Sequence, residues 1–248
     1  MSVCAVVIEV VEHRIAYLTR NLGAARPVEI RYRVATFVAV EGWKVGPDGF
    51  YSSDCQWHSC YDLLMTFRKP TPEELKRAYG RSIPDLIGPN LRILFCGINP
   101  GLYSGATGLH FARPGNRFWP ALHAAGFTKR LLAPWENQEL LAAGYGVTNL
   151  VRRTTPTAAE LSDEEFRAGR AALTRKVRKY SPRWVAVLGL GAYRTGFASP
   201  KATVGRQLER IGTAGLWVLP NPSGLNANHQ LAQHAAMFRE LRVASDAS

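Results

Sequence analysis

The stretch at 91–101 constrains the fold of this chain more than any other. A short apolar run there ends abruptly at the sequence Gly-Ile-Asn-Pro-Gly. Such runs, bounded by turn residues, are typical of buried strands in a parallel sheet, and ligands bind beyond the carboxyl ends of these strands. Pro100 fixes one backbone angle and Gly101 permits another, so the loop can hold the Asn99 amide in one position. We therefore predict that Asn99 belongs to the functional site.

Strands and helices alternate along the rest of the chain. Beyond the first strand, apolar runs predict buried strands at three more places, 146–151, 184–189 and 216–219. This alternation predicts a three-layer α/β/α sandwich around a central four-stranded parallel sheet. Between the strands the patterns predict a loop of small residues at 104–108, a small helix at 204–209 and a final helix at 229–242.

The predicted organisation is a main domain at 65–242 followed by a tail at 243–248. Residues 1–64 differ in texture from this domain, with alternating β-type runs and a glycine-rich turn. Two interpretations of that segment stay open. It is either a small β-rich extension or translated leader upstream of a true start at Met65. Neither interpretation indicates a function.

Composition narrows the class of partner. The chain has 31 Lys and Arg against 19 Asp and Glu, a formal charge of +12. This surplus suits a phosphate-rich partner, most often nucleic acid, although a solvated basic surface would also explain it. No run approaches the roughly 18 apolar residues of a membrane span, so we expect a soluble protein without membrane contact. The four cysteines fit no disulfide framework or cluster spacing, and we expect no metal or cofactor.

Two loops that follow predicted strands carry amide side chains. One is the Asn99 loop, and the other is the sequence Asn-Pro-Ser-Gly-Leu at 221–225. Loops that follow the strands of a parallel sheet emerge at the same edge, so the two could flank one cleft. An amide in such a loop can position a ligand but cannot act as an acid or base.

Four ordered motifs carry a resemblance to a known family: Gly-Ile-Asn-Pro-Gly at 97–101, Asn-Arg-Phe-Trp at 116–119, Gly-Val-Thr-Asn at 146–149 and the 221–225 loop. Together they resemble the mismatch-specific uracil/thymine-DNA glycosylase family of the uracil-DNA glycosylase superfamily. The resemblance covers roughly 66–242 and implies a monofunctional enzyme that flips a base and hydrolyses its N-glycosidic bond. Flipping costs a few kcal/mol, least at a mismatch, so the DNA could itself contribute to mispair preference.

The resemblance also implies roles for residues of the cleft. Asn99 would orient the attacking water without deprotonating it, because an amide has no useful basicity. Bond breaking would then pass through an oxocarbenium-like state, which limits the enzyme to good leaving groups. Phe111 would stack on the extruded base and Ile98 would line the pocket, while Asn149 would support the substrate site. The alternative for Phe111 is a core residue without a role in binding.

This chain departs from the fast uracil-specific relatives. Those enzymes have Asp in the water-activating loop and His at the start of the wedge loop, where this chain has Asn99 and Asn221. Both losses should lower the rate, because general acid–base catalysis typically contributes roughly 10²–10⁴-fold. We place Asn221 among the substrate-binding residues.

The 221–225 loop is also predicted to contact DNA. By resemblance, Leu225 would push into the base stack, and Gly224 and Asn226 would approach the widowed guanine. Some family members have Ser and Arg after the wedge leucine, so Asn226 and Ala227 leave guanine recognition open. Arg152 and Arg153, beyond another strand, could hold phosphates or could be plain solvated side chains.

The leading hypothesis is a base-excision-repair glycosylase that removes uracil from mispairs with guanine and leaves an abasic site. Thymine and ethenocytosine-type adducts are further candidate substrates that the sequence does not rank. The alternatives are a general uracil-DNA glycosylase indifferent to the opposite base and a non-catalytic mismatch-binding module. We expect a cytoplasmic, nucleoid-associated monomer whose partner is double-stranded DNA containing G·U or related mispairs.

Overall fold

A computed structural model describes residues 69–224 and 230–246. The predicted extension at 1–64 lies outside the described residues, as do the predicted DNA contacts Leu225 and Asn226 and the last two residues of the predicted tail. No helix in the described part of the chain is long and apolar enough to cross a membrane.

The described residues form helices and strands in an alternating order. In sequence these are α1 (Pro72–Arg77), β1 (Ile93–Gly97), α2 (Leu102–Thr107), α3 (Phe118–Ala124), α4 (Asn137–Ala142), β2 (Tyr145–Asn149), α5 (Asp163–Tyr180), β3 (Trp184–Leu188), α6 (Leu190–Gly196), β4 (Gly205–Ile211), β5 (Ala214–Leu219) and α7 (Leu231–Asp246). Short 3₁₀ turns lie at Pro134–Glu136 and Ala158–Glu160. The α/β fold class predicted from the sequence is therefore confirmed.

The strands form one five-stranded sheet in the order β2-β1-β3-β5-β4. Strands β1, β2, β3 and β5 are parallel and correspond to the four predicted strands. The fifth strand, β4, pairs antiparallel with β5 at the edge. The predicted helix at 204–209 is therefore wrong. Gly212, whose φ is +59°, allows the tight hairpin turn into β5.

Two further predictions are corrected. The stretch predicted as a loop at 104–108 forms most of helix α2, and its small residues allow close packing. A Cβ on Gly105 would lie 2.6 Å from Oγ1 of Thr154. Helix α7 runs four residues beyond its predicted end at 242. Its last turn is extended by an ion pair between Arg242 and Asp246, with Nη1 and Oδ2 3.2 Å apart.

Capping boxes begin α1 and α5. In α5, the Ser162 hydroxyl accepts a hydrogen bond from the Glu165 N–H, and the Glu165 carboxylate accepts one from the Ser162 N–H. Thr71 and Glu74 form the same reciprocal pair at α1. Each box satisfies two backbone donors that the first turn of a helix leaves without partners.

The sheet separates two apolar layers, because successive side chains of a strand point to opposite faces. In β1, Phe95 packs with Phe118 and Phe238 on one face, whereas Leu94 packs with Leu173 on the other. Strands β1 and β2 are paired in register from Ile93 to Gly97. The loops that follow them consequently leave the sheet side by side.

Candidate active site

A cavity of about 620 Å³ opens at the carboxyl edge of the sheet. The loops that follow β1, β2 and β5 all contribute to its wall. Five residues predicted from the sequence line it, namely Ile98, Asn99, Phe111, Asn149 and Asn221. The structure thus brings together residues from separate loops in one concave site.

Hydrogen bonds from the amide nitrogen fix the orientation of the Asn99 side chain. Its Nδ2 donates to Oγ1 of Thr155 at 2.7 Å, to the carbonyl oxygen of Arg153 at 3.1 Å and to that of Pro100 at 3.3 Å. Two of these partners are carbonyl oxygens, which only accept hydrogen bonds, so only the NH₂ group can face them. The remaining polar atom, Oδ1, is left as an acceptor for a ligand in the cavity.

Thr155 is a site residue whose role the sequence did not indicate. It is 1% exposed, and its hydroxyl accepts from Asn99 and donates to the Thr157 carbonyl at 2.7 Å. Its backbone N–H donates to the Pro100 carbonyl at 3.1 Å, which ties the loop after β2 to the loop after β1. Nothing local marks such a role, because Asn99 and Thr155 are 56 residues apart.

The loop that contains Thr155 is braced by an ion pair. Nη2 of Arg153 donates to the Glu165 carboxylate at 3.0 Å and to the Glu160 carbonyl at 2.8 Å. The bonds from Arg153 and from the Ser162 N–H lower the pKa of Glu165 to about 2. Arg153 is therefore neither simply solvated nor free for a phosphate, whereas its neighbour Arg152 is exposed.

Phe111 lines the cavity in a strained backbone conformation. Its φ is +53°, which is uncommon for a residue other than glycine, and such strain often accompanies functional sites. Its ring stacks on Phe118 with centroids 4.1 Å apart and stays partly exposed. Phe111 therefore lines the cavity while its ring packs on a core residue, and its stacking on an extruded base stays a prediction.

Asn149 lies behind Phe111 and is 8% exposed. Its Nδ2 is 3.3 Å from Nδ1 of His110, and Nε2 of His110 is 3.0 Å from the Pro84 carbonyl oxygen. Burial lowers the pKa of His110 from its usual value, which favours the neutral ring. A Cβ on Gly97 would lie 2.5 Å from Oδ1 of Asn149, so glycine is required for this close approach.

Comparison with known proteins identifies the family. The sequence profile described as the uracil DNA glycosylase superfamily matches residues 84–242, well over half of the chain. The chain belongs to the uracil DNA glycosylase superfamily. A solution NMR structure of a Methanosarcina acetivorans protein, described provisionally as a uracil DNA glycosylase, is also similar. It shares 23% sequence identity, covers 66% of this chain and 98% of its own, and gives a TM-score of 0.44.

Members of this superfamily are DNA glycosylases, and hence hydrolases. The matched range contains every cavity residue predicted from the sequence. It begins at Pro84, whose carbonyl contacts His110, and ends within α7. The superfamily part of the predicted resemblance is therefore confirmed.

The 221–224 segment of this superfamily member is fixed against the loop before α3. Oδ1 of Asn221 accepts from the Ser223 N–H at 3.0 Å, so this side chain shapes the loop while lining the cavity. The Arg117 backbone N–H donates to the Pro222 carbonyl at 2.9 Å, and Nη1 donates to the Ser223 carbonyl at 3.0 Å. A Cβ on Gly224 would lie 2.7 Å from the Gly115 carbonyl oxygen.

The side chains that line the cavity can position a ligand by hydrogen bonds. Among the described residues that line it, none is Asp or Glu, and the sole histidine is the buried His110. No group of three or more His, Cys, Asp and Glu in the described ranges could hold a metal ion. The amide of Asn99 can orient a water molecule, but it cannot remove its proton.

Proposed function

We propose that this chain is a monofunctional DNA glycosylase that excises uracil from mispairs with guanine in double-stranded DNA. In this reaction the bond between C1′ of a flipped nucleotide and the base breaks, and the base departs as an anion. Water adds to C1′ and releases a proton, which solvent passes to the departed base. The orientation of Asn99 carries the proposal, because its three Nδ2 bonds leave Oδ1 as an acceptor for the water.

None of the described residues that line the cavity is Asp or Glu, and this supports a preference for good leaving groups. Without a general base, the bond to the base must lengthen substantially before water attacks. Uracil leaves as a stabilised anion, whereas thymine is a slightly poorer leaving group. We therefore propose slow excision overall, weak thymine activity, and a preference for mispairs because they are the cheapest to open.

Exposed cations near the cavity support duplex DNA as the partner. Arg113 lines the cavity and is exposed, and Arg152 is exposed in the loop that follows β2. Together with the formal charge of +12, they suit contacts to the phosphates on either side of a flipped nucleotide. We propose that the protein acts as a monomer on DNA of the nucleoid in the cytoplasm.

Single-turnover excision tests the proposal. Labelled duplexes with G·U, A·U or G·T pairs and single-stranded uracil are incubated with excess protein, and alkali reveals abasic sites. We expect G·U to be cleaved well above A·U, and Asn99→Ala to lower the rate by roughly 10²-fold through loss of water positioning. The matched control is Gln138→Ala, because Gln138 is an exposed amide on α4 outside the cavity lining.

Each alternative gives a different result. Equal cleavage of G·U, A·U and single-stranded uracil would indicate a general uracil-DNA glycosylase. Binding to mispaired duplexes without abasic sites would indicate a mismatch-binding module and would refute the role of Asn99.

A further inference from the structure

The connection that leaves α1 runs along the rim of the cavity. Leu75 and Ile83 both line the cavity, so the residues between them begin and end at its wall. Residues 76–81 of this connection are here called the basic strip. Its cations, all exposed, are Lys76, Arg77 and Arg81. A positively charged surface therefore adjoins the cavity.

Backbone hydrogen bonds fix the basic strip to the loop that follows β2. The Gly80 N–H donates to the Thr154 carbonyl at 2.9 Å, and the Thr154 N–H donates to the Arg81 carbonyl at 2.8 Å. Thr154 comes two residues after Arg152 and directly before Thr155. The strip therefore lies beside the loop whose exposed Arg152 is proposed to contact a phosphate.

Tyr79 exposes its ring in the middle of the strip. It is 53% exposed, and within 69–224 and 230–246 it is the sole exposed aromatic residue. Hydrogen bonds to the Glu165 carboxylate and to the Tyr79 hydroxyl raise the pKa of Arg153, so the tip of the tyrosine is anchored. An aromatic ring that is held in place loses little conformational entropy when a ligand packs on its face.

The charge of the strip indicates the class of ligand. Among the described residues, none of Lys76, Arg77 and Arg81 has a side-chain partner in an ion pair or a hydrogen bond. Such cations attract an anion, and the formal charge of +12 opposes a second copy of this chain. The sugar–phosphate backbone of DNA offers phosphates to the cations and sugar faces to the ring. In a paired duplex the bases lie inside the stack, so the ring would meet a deoxyribose.

The sheet order places the strip on the other side of the cavity from the 221–224 loop. That loop follows β5, and the loop bonded to the strip follows β2, with β1 and β3 between them. Three inter-strand spacings of about 4.8 Å separate the two exits by roughly 14 Å. Each base-pair step of B-DNA rises about 3.4 Å, so this distance corresponds to roughly four steps. One duplex can therefore reach both loops.

We propose that the basic strip is a second DNA-binding surface, which holds the sugar–phosphate backbone of one duplex flank while the cavity holds the flipped nucleotide. The cations contact phosphates of that flank, and Tyr79 packs on a deoxyribose between them. This inference rests on the proposed function, because it assumes that a nucleotide of duplex DNA enters the cavity.

Neutralising the phosphates of one flank at a time tests the inference. Each duplex carries an uncleavable 2′-fluoroarabino deoxyuridine opposite guanine. Uncharged methylphosphonate linkages replace the phosphates about two to five base-pair steps from the uracil, on one flank or on the other. For wild type, neutralising the flank that reaches the strip should weaken binding roughly tenfold, because several individually weak ion pairs are lost together.

Variants of the strip identify that flank. Arg77→Ala/Arg81→Ala should weaken binding to the unmodified duplex and lower the slope of log K against log salt by about two. It should no longer respond to neutralisation of one flank, and should respond to the other as wild type does. Tyr79→Ala should weaken binding without changing the slope. The matched control is Arg178→Ala, at an exposed position on α5, which should keep both flank responses.

Two results refute the inference: a double variant that responds to both flanks as wild type does, or a wild type that responds to neither. If the double variant fails to fold by circular dichroism, Arg77→Gln decides, because it must reduce the response to one flank alone. Wild-type excision of G·U is measured in parallel. Abasic sites with unchanged flank responses refute only this inference, whereas absence of abasic sites refutes the proposed function.

Discussion

The hydroxyl of Thr155 provides a sharp test of how the Asn99 amide is held. It accepts the shortest of the three Nδ2 bonds, at 2.7 Å, and donates to the Thr157 carbonyl at the same distance. Thr155→Val keeps the shape of the side chain and removes both bonds. Thr155 is 1% exposed, but the two partners that the substitution leaves behind are on half-buried Asn99 and exposed Thr157, so water can replace part of what is lost.

The magnitude follows from the bonds that remain. A hydrogen bond whose partners can turn to water contributes about 0.5–1.5 kcal/mol, so we expect the free energy of unfolding to fall by about that amount. Asn99 keeps its bonds to the Arg153 and Pro100 carbonyls, so its orientation is weakened rather than lost. If the free-energy preference of the Asn99 amide for this orientation falls by about 1.4 kcal/mol, the single-turnover rate on G·U duplexes should fall about tenfold. Asn99→Ala should cause a larger loss.

Thr155→Ser is the matched control, since it keeps the hydroxyl and should keep a rate within a few-fold of wild type. Urea unfolding and single-turnover excision are measured on the same preparations. A Thr155→Val enzyme that is destabilised but excises uracil at the wild-type rate would refute the positioning argument. A loss of equal size in Thr155→Ser would point instead to packing of the methyl group.

The remaining predictions concern the support of the site, its charge and its pH dependence. Gly105→Ala should destabilise the fold by about 1–3 kcal/mol and lower the rate of excision, because the new methyl group would lie 2.6 Å from Oγ1 of Thr154. The control Gly191→Ala should do neither, because no atom lies within 4 Å of a Cβ at that position. Arg152→Ala should weaken binding to all duplexes and reduce the slope of log K against log salt by about one. The control Arg178→Ala, at an exposed position on α5, should change neither the affinity nor the slope. Glu165 has a pKa lowered to about 2, so its stabilising effect should be complete above about pH 4.5 and disappear as the pH falls toward 2. The free energy of unfolding of Glu165→Gln should lack that part of the pH dependence. If the curves of unfolding free energy against pH are parallel for wild type and Glu165→Gln, the prediction is wrong.

The fold was predictable from the sequence where the apolar pattern is strong. The buried runs of β1 and β3 and the capping box at Ser162 each carry a local signal. Strand β4 lacks one, because it is an edge strand whose Leu208 is fully exposed and whose order depends on pairing with β5. Helix α2 was missed because its small residues have turn-like propensities, and close packing at Gly105 favours them.

The residues of the candidate site also differ in whether a local sequence signal predicts them. Asn99 could be predicted because a strand end followed by a rigid turn is visible within a few residues. His110 and Thr155 could not be assigned roles, because those roles arise from contacts across the fold. His110 contacts residues 26 and 39 positions away, and no periodic pattern records which side chains meet at such separations.

Two amides that line the cavity are oriented by backbone carbonyls. Asn99 is fixed directly by the carbonyls of Arg153 and Pro100, and Asn149 is fixed by Pro84 through the His110 ring. A carbonyl cannot change from acceptor to donor, and it does not titrate near neutral pH. Main-chain carbonyls therefore determine how both amides are oriented. His110 is the titratable group that lies between the Pro84 carbonyl and the Asn149 amide. Because burial lowers the pKa of that ring, the arrangement should persist above about pH 6.5 and fail only on acidification, when a proton on Nδ1 would oppose the Asn149 NH₂ group.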